Sequence, residues 1–520
     1  MHLKINGKFL NKRLLLFFIM NLVVVKAAFS QKDVIHSQIE TQVIGTTDKT
    51  VPFWLRSNTY GSLPSRGLST SFIGRLKKDF DMLPISTHKQ QKMFDFGYGL
   101  EARANIGYRT NLNIIQAYAK LRLSIFQLTI GRTTDVMGFN GDTTLSSGNF
   151  SVSGNALGIP KIDISIPEFY RLPLLEGLFS VKGNFVHGWS GKTRVLKLIK
   201  DENGKESYNV DDYFADTYLH QKSLYVRFGK QDWKLNLIGG FNHQVQWDDQ
   251  KVAFGDDFKL SSLQTFFYVV TGKAYGGEKV ARSKIGNQLG SIDLGAEFNY
   301  NNNLKFTLYR QNIYDVGALS KLANIRDGLN GITIENKNFY LQNRGLSWKK
   351  ILIEYFYTKD QAGYPWSIPT ASGDEDYYNN YYYRIGWSYK RLGLGNPFIT
   401  PATNAREGQA HDPFDYFINN RVIAWHIGFL GAFNAWDLKL KLSYSDNYGT
   451  FGTSPYGKST GGKYSNPVDL FKTVGQFSML YETGRSFHSN LYGGATLAFD
   501  KGSLLNNSVG IIIKVRKSFN

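Results

Sequence analysis

Three observations predict an all-β fold, a transmembrane antiparallel β-barrel of about 18 strands. Apolar and polar residues alternate over stretches of about ten residues, short turns mostly alternate with long polar connections, and aromatic residues reach 15 % of the 520-residue chain. After residue 30 no apolar run approaches the roughly 18 residues that a membrane helix needs. A mean hydropathy of −0.30 with 20 % charged residues excludes a helical polytopic protein. The absence of cysteine excludes a disulfide scaffold, thiolate-ligated metal, a thiol nucleophile and a lipoprotein anchor.

Residues 1–30 read as an export signal. Lys4, Lys8, Lys12 and Arg13 precede the apolar run Leu14 to Val25, and Ala28 and Ser30 flank a cut before Gln31. Removing the five basic residues of this segment lowers the formal charge from +19 to +14, so the exported chain stays basic. Residues 31–90 lack the barrel rhythm: Val34 to Ile44 suits a short helix or a strand, and Lys77 to Lys92 shows no clear period. This region is expected to form a small periplasmic or plug-like element leading into the barrel, which would occupy residues 91–520.

Within the barrel region, Leu438, Leu440, Leu442 and Tyr444 share one strand face and Lys439, Lys441, Ser443 and Ser445 the other. Leu235, Leu237 and Phe241 alternate with Asn236, Asn242 and Gln244, and Ile511, Ile513 and Val515 with Lys514 and Arg516. Such strands set one face in an apolar medium and keep the other wet. Short turns are expected at Gly229 to Asp232, Asn301 to Asn303, Arg344 to Trp348, Asn434 to Trp436 and Thr483 to Ser486. Long connections are expected at Ser190 to Ala215, Trp247 to Lys259, Asp315 to Ile334, Lys359 to Asn380 and Asn447 to Lys472. From about residue 92 the candidates number 16 to 19, and the preference of bacterial barrels for even counts selects 18. A secreted sandwich or propeller is the competing class, but no repeat period is present.

Several motifs carry less than they suggest. Gly452 to Ser459 fits the P-loop spacing, yet no helix follows it to complete a phosphate cradle, so nucleotide binding is not expected. The echo at Gly191-Lys192-Thr193 fails on spacing. Nine histidines include no pair at metal-ligand spacing. Asp374, Glu375 and Asp376, and separately Asp256 and Asp257, are read as solvated loop residues; no metal or cofactor is expected. His411, Asp412 and Asp415 lie together without a nucleophile motif. Export and barrel patterning argue against nucleic acid as the partner of a basic chain.

The combination of rings and cations is more informative. Tyr377, Tyr378, Tyr381, Tyr382, Tyr383 and Arg384 cluster near Trp366 where a long connection meets a strand. Aromatic faces stack on sugar C–H surfaces, and guanidinium groups pair with uronate or phosphate. Trp366, Tyr377, Tyr378, Tyr382 and Arg384 are therefore the candidate polysaccharide-binding residues, against the blander alternative of an interfacial aromatic girdle.

Two segments resemble a known family. Pro52-Phe53-Trp54-Leu55-Arg56-Ser57-Asn58-Thr59-Tyr60-Gly61 stands near the exported N-terminus. Gly131-Arg132 leads to Ser153-Gly154-Asn155-Ala156-Leu157-Gly158-Ile159-Pro160 and the strand beyond. This order resembles the capsule assembly Wzi family in its Bacteroidota version, from about residue 50 to the C-terminus. The resemblance implies an 18-stranded outer-membrane barrel that is lectin-like, non-enzymatic and engaged with capsular polysaccharide and its export machinery. Trp54 and Arg56, with Pro52, Phe53, Ser57, Asn58, Tyr60 and Gly61, are expected to be structural, bracing the N-terminal element against the lumen. The short N-terminal segment and the terminal Asn520 depart from the family pattern.

The expectation is a Gram-negative outer-membrane protein that contacts lipid and binds an acidic surface polysaccharide, assisting its assembly or retention. A porin or substrate-selective channel is the alternative, and a barrel hydrolase using His411 the third.

Overall fold

A computed structural model describes residues 35–519 except 65–66, 81–92, 109, 140–141, 201–205, 231, 278–279, 281, 302, 316–317, 340–344, 364–374, 456–458, 461–462, 465–469 and 488–489. The expected signal at 1–30 lies outside the described residues.

Eighteen antiparallel strands form one closed sheet. In chain order they are β1 (Ile35–Thr46), β2 (Ser69–Lys78), β3 (Phe94–Gly107), β4 (Asn111–Leu123), β5 (Phe126–Arg132) and β6 (Lys161–Arg171). There follow β7 (Phe179–Lys200), β8 (Glu206–Phe228), β9 (Leu235–Trp247), β10 (Asn287–Tyr300), β11 (Leu304–Tyr314) and β12 (Gly328–Asn336). The last six are β13 (Leu346–Tyr357), β14 (Val422–Phe433), β15 (Trp436–Asn447), β16 (Val474–Phe487), β17 (Leu491–Gly502) and β18 (Ser508–Phe519). Each strand pairs with its chain neighbour, and β1 closes the ring on β18 from Ser37↔Phe519 to Thr46↔Gly510. Closure removes every free sheet edge, the condition for a sheet to cross lipid.

This topology corrects the expected boundary at residue 91. β1 and β2 belong to the barrel wall, so two of the 18 strands precede that point. Of the stretch Val34 to Ile44, the described residues from Ile35 onward are strand, in which Ile39 and Val43 are exposed on the outside while Glu40 is buried in the lumen.

The outer face is apolar. On β18, Ile511, Ile513 and Val515 are exposed while Ile512 between them is buried. Exposed rings gather at the strand ends nearest the termini: Phe94, Phe126, Phe228, Tyr300, Phe433, Trp436 and Phe487. An apolar band rimmed by such a girdle is the signature of a barrel seated in a bilayer. The inner face is polar yet largely buried: Arg103, Asn242, Asp293, Gln311, Glu354, His426, Lys441 and Ser443 are all covered. Something inside the barrel covers them.

The end holding both termini has mostly short turns, the periplasmic end by the rule for bacterial barrels. Asn434 turns β14 into β15 at φ 52° and Ser124 turns β4 into β5 at φ 56°, conformations that small polar residues tolerate best. Two expected connections are instead strand. Thr483 to Ser486 lies within β16, and Ser190 to Ala215 is mostly the outer half of the β7–β8 hairpin. There Thr193 and Val195 are buried while Lys192 and Arg194 are exposed, a period-two pattern that the density of charge obscures. The connection expected from Asp315 to Ile334 ends at β12, which begins at Gly328.

Candidate functional site

The lumen is filled by the chain's own connections. The β5–β6 loop, residues 133–160, reaches side chains on strands right around the ring. The Ser146 hydroxyl donates to the Glu354 carboxylate at 2.6 Å and the Ser147 N–H to its other oxygen at 2.7 Å. The Phe139 N–H donates to Asp293 at 2.8 Å, Gln311 donates to Asn149 at 2.8 Å, and His426 bonds the Leu145 carbonyl at 2.7 Å. These partners lie on β10, β11, β13 and β14, far round the ring from β5 and β6. Only a segment inside the barrel reaches them all.

The β1–β2 loop joins the same plug. Helix α1 (Phe53–Arg56) is a single turn following Pro52, whose fixed φ and missing N–H suit a helix start. Trp54 donates its indole N–H to Ser443 at 2.7 Å, the Phe53 N–H donates to Asp500 at 2.7 Å, and an Arg56 guanidinium N–H donates to the Asn404 carbonyl at 3.3 Å. Phe398 stacks on Phe53 at 5.5 Å and meets Trp54 edge-on at 6.0 Å. The two segments that carry the family resemblance touch one another. The Tyr60 N–H donates to the Gly154 carbonyl at 2.7 Å, and Asn58 donates to the Ser147 carbonyl at 2.9 Å. A Cβ at Gly154 would stand 2.7 Å from the Tyr60 ring, so glycine is required at this crossing. Pro52, Phe53, Trp54 and Ser57 are buried; Asn58, Tyr60 and Gly61 are partly covered.

The long β13–β14 connection closes the plug from outside. Of the five candidate binding residues, Trp366 lies outside the described residues. Tyr377 and Tyr378 are fully buried: the Tyr377 hydroxyl donates to Asp327 at 2.7 Å and that of Tyr378 to the Phe150 carbonyl. Tyr382 is also buried, and it and Tyr383 each donate to one oxygen of Asp248 at 2.8 Å. Their ring faces are covered by protein, so these three tyrosines hold the loops together and offer no open stacking platform. Arg384 is half-buried at the outer surface, where its guanidinium lies over the exposed Phe414 ring at 5.2 Å.

The outer surface around Arg384 is built by the β7–β8 hairpin. β6 pairs with β7 only to Gly188 and β9 pairs with β8 only from Tyr218, so the hairpin stands beyond its neighbours. Its backbone then accepts a short segment of the β13–β14 connection. The Leu196 N–H donates to the Tyr382 carbonyl at 2.8 Å and the Arg384 N–H to the Arg194 carbonyl at 3.0 Å. Beneath this join Val195, Ala215, Ala253, Tyr382 and Tyr383 form an apolar cluster. Above it lie exposed Arg194, Tyr381 and Phe414. Burial, and then the neighbouring Arg194 cation, pull Arg384 below the usual arginine range, partly offset by Asp415 and Asp412. The sequence reading misses Arg194 and Phe414; the Lys192/Arg194 against Thr193/Val195 alternation is the signal that would have found Arg194.

Burial also perturbs the carboxyls that seat the loops. Asp248 is pushed up to about 6 by burial against the two tyrosine hydrogen bonds. Asp327 is pushed up to about 7 by burial against the bonds from Tyr377, Gln361 and Asp360.

The other motifs take structural places. Glu375 accepts from Asn324 at 3.0 Å and Asp376 from Asn420 at 2.6 Å, while Asp256 is exposed in a short helical turn; Asp374, Gly457 and Lys458 lie outside the described residues. Among the described residues no three His, Asp or Glu are grouped to hold a metal ion. His411 is exposed with its Nδ1 at 2.8 Å from the Gln409 carbonyl, and the Asp412 carboxylate accepts from the Phe414 N–H at 2.8 Å, so neither is joined to a nucleophile by these bonds.

No family profile and no curated protein matches the sequence. Solved structures do. Wzi of Escherichia coli, an outer membrane protein involved in Group 1 capsule assembly and a carbohydrate-binding β-barrel, aligns at TM-score 0.51 and 11 % identity over 96 % of this chain and 88 % of that one. OccAB2 of Acinetobacter baumannii aligns at TM-score 0.42 and 12 % identity over 93 % and 98 % of the two chains. OpdL of Pseudomonas aeruginosa aligns at TM-score 0.42 and 8 % identity over 94 % and 99 %. At these identities the likeness is one of fold. This protein is a Gram-negative outer-membrane β-barrel.

Proposed function

We propose that the barrel is a non-enzymatic surface protein that binds an acidic polysaccharide on its external face and holds it at the cell surface. The observation that carries this reading is the pairing of Arg194 and Arg384 beside exposed Phe414 and Tyr381, above a lumen packed with protein. Two guanidinium groups suit uronate or phosphate groups along a chain, and open rings suit sugar C–H faces. In this reading Trp366 and Arg384 keep the binding role expected of them, joined by Arg194 and Phe414. The segment at residues 1–30 directs export, and capsule export machinery is the protein partner. The carbohydrate-binding likeness of Wzi agrees with this reading without carrying it.

The test compares cells with and without the gene, counting cell-bound and shed polysaccharide separately. Transfer from cell to medium at constant total synthesis supports the reading, and two unchanged fractions reject it.

An anion-selective channel is the second reading. It is favoured by the cationic side chains that line a cavity within the lumen, among them Arg103, Lys439, Lys441 and Lys514. Stepwise conductance in planar bilayers supports it, because a plugged barrel is silent.

A further inference from the structure

Between the plug and the barrel wall lies a cavity of about 190 Å³, lined by Arg103, Lys439, Lys441, Lys514, Glu482 and Trp54 among others. At about 30 Å³ per water molecule, it has room for a small oxyanion and its attendant waters. Its charge is unbalanced. Among the described residues Glu482 is the one carboxylate in the lining, and it is already shared by Lys439 at 2.8 Å and Lys514 at 2.7 Å. Among the described residues, Lys441 and Arg103 have no carboxylate at ion-pair distance. Lys441 is 6 % exposed, donates to the Ser146 carbonyl at 3.2 Å and lies 4.9 Å from the Trp54 ring. Arg103 is 4 % exposed and donates to Asn105, Gln42 and Ser71, all neutral.

Glu354, Asp142 and Glu40 stand outside the lining, and each has other partners. Glu354 accepts from Ser146, Ser147 and Tyr309. Asp142 caps the Thr144 and Leu145 N–H groups, and Glu40 is held by Arg75 at 2.8 Å. Other basic side chains do contact acids, as Arg227 and Lys305 do with Glu297 at 2.9 and 2.6 Å. A buried cation without a counter-charge is costly, and an anion between several donors removes that cost. The position matters as well: Lys439, Lys441, Glu482 and Lys514 come from the halves of β15, β16 and β18 nearest the chain termini and Arg103 from the far half of β3, and no residue of the outer hairpin that carries Arg194 lines the cavity.

We infer that this cavity is an oxyanion site, taking a phosphate or a carboxylate between Arg103, Lys441, Lys439 and Lys514. It is independent of the external polysaccharide face. The bound anion would lock Trp54 and the Ser146 loop segment onto β15, coupling the seating of the plug to a small anionic ligand.

The test is titration calorimetry of the full folded chain in detergent with sodium phosphate, sodium glucuronate and, as ionic-strength control, sodium chloride. Saturable binding of phosphate or glucuronate at one site is expected, weakened about tenfold or more in Lys441→Met, as loss of a charge-assisted contact requires. The double variant Arg194→Ala/Arg384→Ala must leave it unchanged, which separates this site from the external face. Phosphate alone points to a free oxyanion, and glucuronate to the acid group of a sugar. Wild-type titrations no different from chloride overturn the inference whether or not the Lys441 variant folds. So does binding that Lys441→Met leaves intact, or that the double variant abolishes.

Discussion

Trp54 donates its indole N–H to Ser443 at 2.7 Å across a sequence separation of 389 residues, joining the β1–β2 loop to the inner face of β15. This bond explains why a strand whose inner residues are Lys441, Ser443 and Ser445 is well buried on its polar side. The lumen solvates those groups with loop backbone and side chains in place of water, so the plug and the wall depend on each other. Removing the Trp54 side chain opens a void beside Phe53, Phe398 and His426. Trp54→Ala is expected to destabilise the seated plug by about 3–5 kcal/mol, as for other buried Trp truncations. Trp54→Phe, which keeps most of the packing and loses the bond, is expected to cost about 1–2 kcal/mol. Urea unfolding of the detergent-folded barrel measures both, and equal stabilities would show that Trp54 seats nothing.

Gly510 on β18 lies against the same helix turn: a Cβ there would stand 2.8 Å from both Pro52 and Leu55. Gly510→Val is expected to displace helix α1 and cost about 1–3 kcal/mol by overpacking. Protease cleavage within residues 47–64 should accelerate in this variant while the barrel stays heat-modifiable on gels.

The seating of the outer loops should depend on pH. Burial raises Asp248 to about 6 and Asp327 to about 7, against about 3.9 for a solvated aspartate. A carboxyl whose folded value is raised stabilises the seated state fully below the unfolded value and loses that contribution as pH climbs through the folded one. The β13–β14 connection should therefore resist limited proteolysis better at pH 5 than at pH 8, with the change falling between pH 4 and about 7. A flat profile over that range would remove these two groups from the control of loop seating.

Arg194→Ala and Arg384→Ala together are expected to lower polysaccharide retention about tenfold or more while leaving the heat-modifiable fold intact, since each removes a charge-assisted contact at the outer surface, where Arg194 is exposed and Arg384 half-buried. Phe414→Ala should give a smaller loss of the same kind. Trp366→Ala belongs in the same series, measured as cell-bound against shed glycan. Full retention in the double arginine variant would move the binding face elsewhere.

The barrel was legible in the sequence because lipid on one side and a polar interior on the other impose alternation of period two, seen most clearly at Ile511, Ile513 and Val515. The same logic failed for the outer hairpin, where Lys192 and Arg194 stand beyond the membrane in water and their face carries no apolar partner to mark it. The tyrosine cluster was found but its chemistry was inverted. Composition shows that Tyr377, Tyr378 and Tyr382 are close in sequence, whereas Asp327, Phe150 and Asp248, which accept their hydroxyls, are supplied by three other connections. Contacts between residues so far apart leave no local period to read. The PFW segment was legible as a motif, while its position inside the barrel depended on β1 pairing with β18 at the far end of the chain.

The most direct test of a barrel filled by its own loops is single-channel conductance of the purified protein in planar bilayers. Wild type is expected to insert and stay electrically silent, and Trp54→Ala with Gly510→Val to introduce discrete openings. Steady stepwise conductance from the wild type, unchanged by those substitutions, would contradict it.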